Sequence, residues 1–477
     1  MRRPLATLAL LALVVGGVAS LYIGHGQGNA HARVMVLGVD GGSWNVILPM
    51  FEAGELPNLK GLFDHGIHGV LESRPPILSP VVWTTMFTGK LPEEHGVRNW
   101  KTSQSTHRKV KVLWNMTSEA GLATRVFNVP ASWPPEAING RMLSGFPLSG
   151  STLGGNTGLV LSLREPSALS SPFRENLDAV RRAASGLAVG DWSPWFDAVV
   201  TRRPSVRGRM KVKRLSEDRY YLSPFYRVDE GLVISYPQDL AAAVSRSLGE
   251  AYIPEGPGWS KHAEEETPSY LYEHLVDISR IQTGGALLSV GEEWDLFIYV
   301  LTLVDRVSHP YWSYMQPSDY DGVDPLKAER YGEAVRNAYR ESDRQIGELL
   351  AAAKGDFFVV VASDHGFKSS RKRDLRIGTH AFDGIYMVSG PGLSKQEGPR
   401  AYIEDVAPTI LYLLGMPLAS DMDGDMIATV LEARATTPAT VVSYESEARE
   451  GSDLPVDDST WEQLRGLGYV DGAPPRR

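Results

Sequence analysis

Three near-continuous apolar runs in this sequence end at or next to an aspartate, and that pattern limits the folds open to it. VMVLGV (34–39) runs into Asp40, DLFIYVLTLV (295–304) into Asp305, and FFVVVAS (357–363) into Asp364. Runs of this kind read as strands buried on both faces. A fourth, TRVFNV, lies at 124–129. Helical patterns fall between them at 110–119, 328–353 and 403–414, the last closed by Gly415. Alternating strands and helices predict an α/β fold with a doubly wound, mostly parallel sheet and helices on both faces. In such sheets functional residues collect beyond the carboxyl ends of the strands.

The remaining sequence does not divide into equal domains. With 43% hydrophobic and 22% charged residues, the chain is neither mostly disordered, nor collagen-like, nor a polytopic membrane protein. Residues 1–32 form a signal or anchor with a linker: Arg2 and Arg3 precede an uncharged stretch at 5–23. It reads as an export signal cleaved after Gly17-Val18-Ala19 or Ala30-His31-Ala32, or as a retained membrane anchor. Both place the rest of the chain beyond the cytoplasmic membrane, in the periplasm, outside the cell or held to the outer membrane face. Residues 33–150 and 291–432 read as two halves of one catalytic α/β core, 151–290 as an inserted cap, and 433–477 as a tail. The basic run RRPSVRGRMKVKR (202–214) reads as a solvated face, or more sharply as a cap surface that attracts an anionic substrate. A net charge of −9 gives no reason to expect nucleic-acid binding beyond a nucleotide substrate.

The candidate chemistry lies at the strand ends. Asp40, Asp305 with His309 four residues on, Asp364-His365, and His380 in GTHAFDG supply three carboxylates and three imidazoles. These are the ligand types of zinc-like divalent ions. The chain has no cysteine, so thiolate ligands are excluded. A hydroxyl nucleophile is sought in LSPVVWTTMFTGKLPEEHGV. Ser79-Pro80 reads as a helix start, with Ser79 as N-cap and Pro80 at the first helical position. A hydroxyl there meets the positive end of the helix dipole, which suits a phosphate. Thr84 and Thr85 lie a turn or more inside the helix and point less naturally to the loop face. Lys90, Asn99 and His107 read as surface residues, and Asp421, Asp423 and Asp425 as a solvated turn.

Taken together, VLGVDGG, the Ser79 segment, VDRVSHPYW, VVASDHGF and GTHAFDGIYMVSGPG resemble the alkaline phosphatase superfamily. Within it they are similar to the type I phosphodiesterase/nucleotide pyrophosphatase branch. The resemblance implies an alkaline-phosphatase-like fold and a metal-dependent phosphoric ester hydrolase. It implies two divalent ions, zinc by family habit, one held by Asp305, His309 and His380. The other would be held by Asp40, Asp364, His365 and the Ser79 oxygen. Ser79 would be the nucleophile, forming a covalent phospho-serine. It stands nine residues before Thr88-Gly89, the family's spacing, where family members usually carry threonine. The sulfatase route needs a formylglycine made from Cys or Ser in a C/S-x-P-x-R context, and Ser79-Pro80-Val81-Val82-Trp83 lacks that pattern. Two further readings share the fold: an envelope phosphotransferase of the phosphoethanolamine or glycerol-phosphate type, and a non-catalytic binding module.

Overall fold

The computed structural model describes residues 32–146, 152–153, 158–164, 173–201, 205–228, 232–254, 268–371, 376–434 and 436–445. The N-terminal apolar stretch, part of the basic run and the WEQLRGLGYV segment lie outside them. Among the described residues, no helix is long and apolar enough to cross a membrane.

The centre is a ten-stranded sheet. Its strands are β1 (Val34–Val39), β2 (Gly66–Glu72), β3 (Thr124–Phe127), β4 (Gly140–Leu143), β5 (Ser235–Tyr236), β6 (Leu296–Leu301), β7 (Phe358–Ala362), β8 (Asp383–Ser389), β9 (Gln396–Glu397) and β10 (Ala401–Tyr402). The order is β5-β4-β3-β6-β1-β7-β8-β2-β9, with β10 also on β2. From β4 to β7 every neighbouring pair is parallel. β5, β8 and β2 add antiparallel pairings outside this block. The sheet is therefore mixed but mostly parallel through its middle.

Alternation along the central strands explains why both faces are covered. Met35, Leu37 and Val39 of β1 join Phe297, Tyr299 and Leu301 of β6 in one core. Val34 and Val36 join Leu296, Ile298 and Val300 in the other. On the first face pack helices α1 (Trp44–Glu52), α2 (Pro57–Asp64), α5 (Pro268–Val290), α6 (Leu303–Met315) and α7 (Ala334–Ala352). On the second pack α3 (Ser79–Thr88), α4 (Leu113–Glu119) and α8 (Val406–Leu413). With side chains of alternate parity buried on opposite faces, each strand reads as an unbroken apolar run.

The boundaries differ from the sequence reading in instructive ways. The run at 295–304 stops being a strand at Leu301, and its last apolar residues open α6. The predicted long helix at 328–353 is two helices, Pro325–Tyr331 and α7, separated at Gly332 and Glu333.

Between β4 and β5 lie two small antiparallel sheets. One comprises Leu159–Ser162, Arg219–Leu222 and Val212–Arg214; the other has Thr152–Leu153, Phe225–Arg227, Val206–Met210 and Phe196–Val200. They bury their own cluster around Phe173, Met210 and Phe225. The basic run does not simply face water here. Lys211 and Lys213 are buried, and they pair with Asp277 and Glu273 of α5. Their ammonium groups also lie 5.4 and 5.5 Å from the Trp192 ring centroid, close enough for cation–π attraction. His274 is buried beside them, stacked on Trp192 at 5.5 Å and sharing a hydrogen bond with the Tyr226 hydroxyl at 3.0 Å.

His274 and the equally buried His95 supply a pH prediction. Burial, reinforced by Lys211 for His274 and Arg108 for His95, lowers both imidazoles to about 3. An unfolded histidine titrates near 6.5. Between those values the unfolded chain binds the extra protons, so stability falls as pH falls. Each histidine contributes a slope of about 1.4 kcal/mol per pH unit. Urea unfolding from pH 7 to pH 4 should show a falling midpoint, and His274→Gln should flatten the dependence.

Candidate active site

Parallel pairing places three strand ends side by side. Val39 is in register with Leu301 of β6, and Gly38 with Ala362 of β7. Asp40 follows β1, and its N–H donates to the Leu301 carbonyl at 2.9 Å. Asp305 sits in the first turn of α6, where the helix dipole favours a carboxylate. Its N–H donates to the Asp40 carbonyl at 3.1 Å. His309 follows one turn later on the same helix face. Asp364 and His365 follow β7. His380 returns on a hairpin of Gly366–Ser369 with Gly378–Ala381, directly across from Phe367.

The structure brings all six residues together. Asp305 Oδ1 is 3.4 Å from His309 Nε2, 3.4 Å from His380 Nε2 and 3.8 Å from His365 Nε2. His365 Nε2 lies 3.6 Å from Asp40 Oδ1 and 3.4 Å from Asp364 Oδ2. Among the described residues, two groups of donor atoms are compact enough to hold a metal ion. They are Asp305, His309 and His380, and Asp40, Asp305 and His365. Asp305 belongs to both.

The imidazoles are oriented from behind. Nδ1 of His309 bonds the Gly378 carbonyl at 3.1 Å, that of His365 the Gly366 carbonyl at 3.1 Å, and that of His380 the Ile77 carbonyl at 3.0 Å. A carbonyl can only accept, so each Nδ1 carries a proton and each ring turns its Nε2 inward. His309 and His380 Nε2 lie 3.1 Å apart. Burial and the nearby His380 hold His365 well below the usual histidine range. Burial, with Asp364 and Asp305 beside it, holds the Asp40 carboxyl well above its ordinary value, and burial with Asp305 does the same to Asp364. Asp305 is pushed up by burial, but His309 and His380 hold it well below the usual range.

The donor set fits a divalent cation on one observation above all. Both Asp40 oxygens, Asp305 Oδ1, Asp364 Oδ2 and His365 Nε2 are buried with no hydrogen-bond partner. Buried polar atoms are almost always paired, and several orphaned acceptors at one point are expensive. A cation placed among them satisfies them together.

Ser79 opens α3 and is 2% exposed. The expectation that it caps the helix is corrected: Leu78 is the cap residue, and no side-chain cap bond is made. Ser79 is the first residue inside the helix, so its hydroxyl is not the capping group. The Ile77 carbonyl held by His380 ties the start of α3 to the imidazole cluster. The Thr84 and Thr85 hydroxyls instead bond the Pro80 and Val81 carbonyls one turn back. Lys90 is not a surface residue: buried, it clasps Glu94 at 3.0 Å and the Asp421 carbonyl at 2.7 Å. Asp423 Oδ2 accepts from Leu91 N–H at 2.7 Å, so the acidic turn fastens the end of α3.

Sequence reasoning passed over Tyr339. Fully buried on α7, it accepts from Ser43 N–H at 3.0 Å and donates to the Gly41 carbonyl at 3.3 Å, bracing the loop after Asp40. The only trace in the sequence is one aromatic on the apolar face of a helix, which reads as core.

Comparison with curated proteins finds no match. Among solved structures the chain is similar to a putative sulfatase from Bacteroides thetaiotaomicron, with 10% identity over 88% of this chain and 76% of that one, TM-score 0.44. It is also similar to a phosphonate monoester hydrolase from Silicibacter pomeroyi, with 13% identity over 85% and 77%, TM-score 0.41. A phosphonoacetate hydrolase from Sinorhizobium meliloti matches with 14% identity over 73% of this chain and 60% of that one, TM-score 0.34. The model of the type I phosphodiesterase/nucleotide pyrophosphatase family matches residues 34–390, a span that takes in every strand end described above. The chain belongs to that family of phosphoric ester hydrolases, a branch of the alkaline phosphatase superfamily.

Proposed function

We propose that the protein is a phosphodiesterase that works through a covalent phospho-serine on Ser79 at a site for two zinc ions. The observation carrying this reading is the buried set of unpaired carboxylate and imidazole atoms tied to the start of α3. Asp305, His309 and His380 would hold one ion, and Asp40, Asp364, His365 and the Ser79 oxygen the other. When bound, the pair would lower the pKa of the serine hydroxyl and stabilise charge on the phosphoryl oxygens.

The chain's own residues do the rest. Ser79 Oγ forms a bond to phosphorus as the bond from phosphorus to the leaving alcohol breaks, and the serine proton leaves with the alcohol. Water then cleaves the Ser79 Oγ–P bond and returns a proton to the serine. Throughout, the Gly378, Gly366 and Ile77 carbonyls keep the three imidazoles facing inward. The N-terminus of α3 presents its positive end to the phosphate. The same reading has the enzyme exported, on the strength of Arg2, Arg3 and the uncharged stretch after them; cell fractionation tests it, and activity confined to the cytosol would contradict it.

The test of function is hydrolysis of aryl phosphate diesters, monoesters, nucleotides and sulfate esters by purified protein with added zinc. Diesters should turn over fastest. A preference for sulfate esters, or transfer to an added alcohol with no hydrolysis, would overturn the assignment.

A further inference from the structure

We infer that Phe367 is a positioning residue that sets the tilt of all three imidazoles and so preorganises the site for its cations. The inference rests on the cation-dependent reading above. Phe367 is completely buried. Its ring centroid lies 5.1 Å from that of His309, 5.7 Å from His365 and 5.5 Å from His380. The His309 and His380 rings meet it nearly edge-on, at 77° and 76°. Trp312 stacks against it at 5.6 Å.

Two backbone segments of the site also lean on this ring. A Cβ at Gly41 would come within 2.6 Å of Phe367 Cε2, and one at Gly378 within 3.0 Å of Cδ1. Gly378 carries the carbonyl that orients His309, and the Gly41 N–H donates to Asp364 Oδ1 at 3.3 Å. One aromatic ring thus packs against three imidazoles and two of the backbone groups that aim the ligands.

The physical need for such a support follows from the geometry. Each imidazole is anchored from behind by its Nδ1 bond, and its tilt about that bond depends on what packs against the ring face and edge. The His309 and His380 Nε2 atoms converge to 3.1 Å, with Asp305 Oδ1 3.4 Å from each. Packing must hold that convergence when no cation does, and a flat, rigid ring wedged between the imidazoles can do so. A flexible aliphatic side chain of similar volume would fill the space without fixing the tilts. Outer contacts that orient metal ligands typically change affinity 10–100-fold when lost.

The experiment uses the full chain, stripped with chelator and retitrated with Zn²⁺ by calorimetry and with Co²⁺ by visible absorption. Phe367→Leu and Phe367→Met are compared with the unaltered protein. Each should melt in one cooperative transition, bind Zn²⁺ about 10–100-fold more weakly, and show shifted, weakened Co²⁺ bands. Affinity within twofold of the unaltered protein, with unchanged cobalt bands, in either folded variant would overturn the inference. If both fail to fold, Trp312→Leu removes the ring behind Phe367 and should weaken binding in the same direction; unchanged affinity there overturns it equally. Failure of the unaltered protein to bind either cation would instead refute the cation-dependent reading itself.

Discussion

Replacing Ser79 with alanine is expected to lower phosphodiester turnover by at least about 10³-fold, as loss of a nucleophile does, while leaving the fold and most of the bound metal in place. The separation of effects comes from the local structure. A serine that caps a helix costs about 1 kcal/mol when replaced by alanine. Ser79 makes no such bond, so the melting temperature should barely move. On the proposed reading the carboxylates and imidazoles at the three strand ends would supply the other metal ligands, so metal content should persist. Thr84→Ala and Thr85→Ala are the matched controls. Their hydroxyls are committed to carbonyls within α3, so these variants should lose some stability and keep their chemistry. Steady-state kinetics, elemental analysis and thermal melts of the three proteins check this. An Ser79→Ala protein with full activity would remove Ser79 from the mechanism.

Removing the divalent ions should abolish activity and lower stability together. At a free ion concentration a thousand times Kd, binding stabilises a fold by about 4 kcal/mol. For a chain of this size that is a melting shift of roughly 5 °C. Asp40→Asn separates the two effects. In the ion-free protein Asp40 is fully buried, both its oxygens are unpaired, and Asp364 and Asp305 stand beside it. Replacing that carboxyl by an amide should stabilise the ion-free fold, because burial beside Asp364 and Asp305 makes the folded chain either hold a charge there or take up a proton that the unfolded carboxylate does not bind, and both are costly. The same change should destroy activity and shrink the melting shift that zinc produces. Melts with chelator and with zinc read both signs. An Asp40→Asn protein that is less stable without ions, yet fully active with them, would contradict the picture.

How much of this was legible in the sequence depended on whether a feature repeats in it. β1, β6 and β7 are buried on both faces, so they appear as unbroken apolar runs whose carboxyl ends can be located. Asp40 and Asp364 followed directly. Asp305 reads as a strand-end residue in the sequence, but it belongs to the first turn of α6, two residues past the helix start. The break at Gly332 was invisible because the apolar spacing carries on across it. The basic run misled because charge alone does not reveal direction. Lys213 on its short strand and Lys211 just before it are both buried, and both pair with acidic side chains of α5. Phe367 and Tyr339 leave no mark that separates a site-supporting aromatic from ordinary core. Their contacts join segments hundreds of residues apart, and only folding brings these together.

The central claim is that phosphorus is bonded to Ser79 during turnover. Rapid acid quench of zinc-loaded protein with an aryl phosphodiester, followed by proteolysis and peptide mass spectrometry, measures that bond. The account predicts a phosphoryl ester mass on the peptide containing Ser79, absent from the Ser79→Ala protein. Adduct on any other residue, or steady turnover with no adduct under conditions that trap a phospho-serine standard, would contradict it.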